Sequence, residues 1–158
     1  MKAALLNARK LQRVAILRCC GLGDVAQMTP LLQQIRADAP QAKIEVFINA
    51  NVSALLEGAP FVDRVHALPV SSFTASAQNP FLWHLWMSVR EQGAFDCLFC
   101  LDLSWSRTVL AGLALARHRI GFRTEAWKPY TPLHDTLTVP LDYPRNADHT
   151  SLWFLRLW

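Results

Sequence analysis

Asp24 lies in LRCCGLGDVAQMTPLL, residues 17–32, where two glycines, a carboxylate and a Thr-Pro pair meet at a strand-to-helix corner. Three kinds of chemistry fit such a corner. Gly21, Gly23 and Ala26 satisfy the Gly-x-Gly-x-x-Ala pattern that cradles a dinucleotide phosphate after a strand and before a helix. An aspartate opening a helix also serves as a plain cap, accepting a free backbone amide for about 1 kcal/mol. The third reading is a general base: a carboxylate held at a strand's end, on a glycine-thinned loop, faces a substrate hydroxyl and takes its proton as that hydroxyl attacks. Two features oppose the dinucleotide. The next strand, KIEVFINAN, ends in asparagines where a ribose-binding acid is expected, and Glu45 is mid-strand. Asp24 would also set its own charge at the helix N-terminus that a pyrophosphate needs.

Other reactive side chains are less specific. Arg18 precedes the turn and is either a solvated strand end or a planar fork for a phosphate or carboxylate. Asp102, Ser104 and Arg107 follow a fourth strand. They read equally as loop and helix-cap residues or as substrate contacts, with Arg107 meeting an anionic acceptor. Cys97 and Cys100 form a C-x-x-C pair, but on a strand residues three apart face opposite ways, which opposes a metal or redox pair. The five histidines have no ligand spacing.

The elements that position these residues alternate. QRVAILRC is a first strand over 13–18 and KIEVFIN a second. Between them Val25, Met28, Leu31, Leu32 and Ile35 share one helical face. Pro30 either kinks that helix or marks its start with Thr29 as cap. VSALLEGAP is a short helix ended by Gly58, and DRVHALP a third strand. PFLWHLWMSVREQ is helical with Gly93 after its end. FDCLFCLDLS is a fourth strand, apolar enough to be buried on both faces. SRTVLAGLALAR is a further helix, HRIGF a fifth strand, Leu137 to Val139 a sixth, and HTSLWFLRLW a last helix. This alternation predicts an α/β fold: a Rossmann-like parallel sheet with helices on both faces and ligands beyond the strands' carboxyl ends.

With 158 residues, 52% of them hydrophobic and 18% charged, the chain fits one globular domain. The net charge of +4 is evenly spread and accompanies no nucleic-acid motif, so no nucleic-acid partner is expected. No apolar run reaches the roughly 20 residues of a membrane span, and no signal-peptide core is present. A cytoplasmic chain with reduced thiols is expected. Phe81, Trp83 and Trp86 lie on a helix that either packs on the sheet or touches a membrane surface.

Taken together, the corner ILRCCGLGDVAQMTPLLQQIRADAPQAKIEVFI, the segment PFVDRVHAL and the stretch FDCLFCLDLSWSRTVLAGLALARHRIGF resemble glycosyltransferase family 9, the ADP-heptose:lipopolysaccharide heptosyltransferases. The likeness runs from Val14 to Phe122, with HTSLWFLRLW similar beyond it. It implies the N-terminal half of a GT-B glycosyltransferase, with residues 1–150 as acceptor-side domain and 151–158 starting a helix toward a C-terminal donor domain. It implies inverting transfer of heptose or a related sugar to an anionic lipopolysaccharide-core acceptor, with Asp24 as base and no metal or other cofactor. Arg18, Gly21, Gly23, Asp102, Ser104 and Arg107 are then the substrate-side candidates. The nucleotide-sugar, ADP-heptose in that family, would sit in the other domain, so the chain alone is not expected to catalyse transfer. A peripheral place on the inner face of the inner membrane follows from a lipid-linked acceptor. The alternatives are a nucleotide-binding module using GLGDVA as phosphate loop and a non-enzymatic interaction domain. Trp153, Phe154 and Trp158 would be covered by a second domain, or exposed without it.

Overall fold

The computed structural model describes residues 8–18, 21–68, 87, 90–101, 116–123, 137, 139–142 and 150–158. Six parallel strands build one sheet: β1 (Arg13–Arg18), β2 (Lys43–Asn49), β3 (Arg64–Leu68), β4 (Phe95–Cys100), β5 (Ala116–Arg123) and β6 (Val139–Asp142). Their order is β3-β2-β1-β4-β5-β6. This is the Rossmann-like arrangement, in which the order reverses between β1 and β4 and opens a crevice at their carboxyl ends. In register, Leu17 faces Phe47 on one side and Cys100 on the other, and the Leu101 amide donates to the Leu17 carbonyl at 3.0 Å.

Both faces of the sheet are buried. Val14, Ile16, Val46, Ile48, Cys97 and Phe99 point to one face, together with the apolar stripe of α1 (Leu22–Asp38). Ala15, Leu17, Phe47, Leu98 and Cys100 point to the other. Central strands buried on both sides need near-continuous apolar runs, and VAIL, VFI and CLFC supply them. The C-x-x-C thiols therefore face opposite ways, as strand geometry requires. Burial, with the nearby Asp96 charge, pushes the Cys97 thiol far up, so it is an inert core group.

α1 buries the five residues that the helical period selects. It runs through Pro30 instead of starting there: Met28, Leu31, Leu32 and Ile35 are fully buried, and that burial outweighs the about 3 kcal/mol that an interior proline costs. Thr29 is accordingly no cap, and its hydroxyl donates to the Val25 carbonyl at 3.0 Å. The helix expected over VSALLEGAP is shorter and earlier. It is α2 (Ala50–Ser53), followed by turns that reach Gly58 at φ 77°. Gly93 has φ 83°, as expected of a residue just past a helix. β5 begins at Ala116, so Ala116 and Arg117 of SRTVLAGLALAR are strand, while the rest of that expected helix lies outside the described residues; the sixth strand sits at Val139–Asp142. Phe81, Trp83 and Trp86 lie outside the described residues.

The last helix, α3 (Thr150–Leu155), packs on α1. Phe154 and Leu157 are buried in the main core, Trp158 stacks at an angle on Phe99, and its indole N–H donates to Asp38 Oδ2 at 2.6 Å. Phe154 is thus covered by this domain itself, because α1 offers it an apolar flank, while Trp153 and Trp158 are half-buried. Among the described residues, no helix is long and apolar enough to cross a membrane.

Candidate functional site

The carboxyl end of β1 delivers Arg18, and the first turn of α1 delivers Asp24. Gly21 is the residue before the helix, with extended backbone, and Asp24 sits three positions on. Asp24 is therefore not the cap itself. Its Oδ2 reaches back to accept the Gly21 amide at 3.1 Å, the return half of a capping box. Its Oδ1 accepts from Arg18 Nη2 at 2.6 Å. Arg18 Nη1 donates to the Leu101 carbonyl just past β4, and the guanidinium lies 5.5 Å from the centre of the Phe154 ring. Arg18 so ties β1, β4, α1 and α3 together across the point where the strand order reverses.

This pair opens on a pocket of about 150 Å³, lined also by Gln27, Phe122, Thr150 and Trp153. The Asp24 side chain is 35% exposed, against 13% for Arg18. The carboxylate is the more accessible partner, and the guanidinium is its backing. A carboxylate so fixed keeps lone pairs for an incoming hydroxyl. Amide, hydroxyl and aromatic groups around it suit a polar ring with apolar faces.

Neither glycine of the corner is forced by the fold. Among the described residues, a Cβ on Gly23 would meet nothing within 4 Å, and one on Gly21 would touch only Asp24 Oδ2 at 4.0 Å. The open backbone beside Asp24 is space that a ligand can approach. Asp102, Ser104 and Arg107 lie outside the described residues, as do Cys19 and Cys20. Gln27, Thr150 and Trp153 were not among the candidates read from sequence. Gln27 was within reach of that reading, since it lies three residues from Asp24 and so shares its helix side. Thr150 and Trp153 were not, because only the sheet order brings the last helix to the first turn.

A second polar cluster lies toward the amino ends of the strands. Glu45 is fully buried and accepts from Arg13 Nη2 at 2.6 Å and from His66 Nε2 at 2.8 Å, with Lys43 Nζ at 3.6 Å. His66 stacks on Phe47 at 4.3 Å, and Arg13 lies over Phe95 at 4.5 Å. Burial acts to raise the Glu45 carboxyl, but the bonds from Arg13 and His66 and the charges of Arg13 and Lys43 hold it below its ordinary value. Burial, joined by the charges of Arg64 and Lys43, holds His66 below its ordinary value against the raising effect of Glu45. This cluster fixes the edge of the sheet.

No protein-family model matches the sequence, and no curated protein does. Solved structures do share the fold. A family 9 glycosyl transferase from Veillonella parvula superposes with a TM-score of 0.75 at 19% identity, over 96% of this chain and 41% of that one. The E. coli heptosyltransferase WaaC, solved with ADP, gives 0.67 at 15% identity, over 92% and 46%. E. coli ADP-heptose lps heptosyltransferase II gives 0.68 at 20% identity, over 93% and 40%. The chain spans less than half the length of each of these structures, and its fold is that of the matching part of these glycosyltransferases.

Proposed function

We propose that this chain is the acceptor-side half of a family 9-type glycosyltransferase. In this reading it helps transfer heptose or a related sugar from a nucleotide-sugar to an anionic lipopolysaccharide-core acceptor, with inversion. The observation that carries it is the accessible Asp24 carboxylate, backed by Arg18, at the mouth of a pocket in the switch-point crevice. The fold likeness to heptosyltransferases, one of them solved with ADP, supports the reaction class.

The acceptor hydroxyl enters the pocket beside Asp24. As its oxygen attacks the anomeric carbon, the bond from that carbon to the departing phosphate oxygen breaks, and the hydroxyl proton passes to the Asp24 carboxylate. Attack opposite the leaving group inverts the carbon. The donor would be held by a second domain facing this crevice. A lipid-linked acceptor would bring the protein to the cytoplasmic face of a membrane.

One observation weighs against the phosphate-loop reading: Asp24 Oδ2 already takes the Gly21 amide that a phosphate would need. The packed chain end is what a self-contained interaction domain requires, yet it also builds the pocket wall from Thr150 and Trp153, which such a domain has no need of.

The test is sugar transfer by the full-length gene product with Asp24→Asn. Loss of transfer with retained folding supports the base. Retained transfer removes it, and ADP or NAD binding by the 158-residue chain that improves in Asp24→Asn would establish the phosphate loop instead.

A further inference from the structure

We propose that Arg18 is a positioning residue for Asp24, not a contact for the acceptor's anion, and that Phe154 holds Arg18 in that task. The inference rests on the role given to Asp24 above.

An arginine that recognises an incoming carboxylate or phosphate presents two parallel N–H groups of its fork to one anion. The Arg18 fork is divided. Nη2 donates to Asp24 Oδ1 at 2.6 Å, and Nη1 to the Leu101 carbonyl, a fixed acceptor just past β4. Its guanidinium carbon lies over Phe154, 5.5 Å from the ring centre, within the range of a cation–π contact. The side chain is 13% exposed. A guanidinium whose two Nη groups hold acceptors on different elements, and whose carbon sits over a buried ring, is a strut. It sets the plane of the Asp24 carboxylate, whose other oxygen is held by the Gly21 amide.

The arrangement also makes α3 part of the site. Phe154 is 2% exposed and belongs to the core, while Thr150 and Trp153 of the same helix line the pocket. A shift of α3 that moved Phe154 would release the guanidinium and, through it, the carboxylate.

The first arm needs no transfer activity. In the 158-residue chain, nitrogen-15 NMR of the Arg18 guanidinium should show separate, slowly rotating Nη–H signals. Phe154→Leu should merge or broaden them, and Phe154→Tyr should restore them. Free rotation in the unmodified chain overturns the proposal. The second arm uses the full-length gene product. Arg18→Met should lower kcat by roughly a hundredfold, the scale of a misplaced catalytic group, with the acceptor KM little changed. A raised KM at unchanged kcat would make Arg18 an acceptor contact and overturn the proposal. Should the unmodified full-length protein transfer no sugar, the proposed function falls, and the NMR arm alone decides whether Arg18 is held as described.

Discussion

His66 Nε2 lies 2.8 Å from Glu45 Oε2, at the far end of the strands from Asp24. An ionised carboxylate only accepts, so Nε2 carries the proton of this bond. The pair makes the sheet edge sensitive to acid. Both groups have folded pKa values below their ordinary ones. The unfolded chain therefore takes up protons first as the pH falls. The His66 contribution is fully present above 6.5 and is lost as the pH falls below it, and the Glu45 contribution is lost below 4.5. Melting temperatures between pH 4 and 8 should fall toward acid in those two windows. Glu45→Gln should lower stability by about 1–3 kcal/mol at neutral pH and flatten the lower window.

Asp24→Asn keeps the size of the side chain and removes the charge opposite Arg18. Transfer by the full-length protein should drop roughly 10²- to 10⁴-fold, the usual worth of a general base. Stability should change by no more than about 1 kcal/mol, the scale of a charge at a helix N-terminus. Kinetics and urea unfolding on the same variant check both halves of the expectation.

Gly121 and Gly23 should respond oppositely to alanine. At Gly121 the added Cβ would lie 3.0 Å from the Cys100 carbonyl and 3.3 Å from Leu137 Cδ2, forcing two strands apart. Gly121→Ala should destabilise by about 1–3 kcal/mol. At Gly23 the space is open and the backbone helical, so Gly23→Ala should stabilise by about 0.4–1 kcal/mol. If the open backbone is where the acceptor approaches, the same variant should weaken acceptor affinity, which titration calorimetry reads.

The chain end should prove structural. Phe154→Ala removes a ring from the core and should cost about 3–5 kcal/mol. Removing residues 150–158 should uncover the α1 flank and raise binding of a hydrophobic dye. Unchanged stability in both would contradict the packing of α3 on α1.

By itself the sequence determined the alternation of strands and helices and the buried stripe of α1. Those depend on local periodicity, which a chain carries wherever it folds. It also marked the corner from Arg18 to Asp24, because glycines and a carboxylate between two periodic segments are a local signal. It left Pro30 open between a place inside the helix and the helix start, since the cost of a proline is local while the burial that carries α1 through it is tertiary. Which distant residues meet is settled by the way the elements pack. The reversal of strand order between β1 and β4 brings Leu101 to Arg18. The return of α3 onto α1 brings Phe154, Thr150 and Trp153 to the same place, and pairing of β2 with β1 and β3 collects Arg13 and His66 around Glu45. Each of these contacts joins segments far apart along the chain, and no spacing within a single segment encodes it.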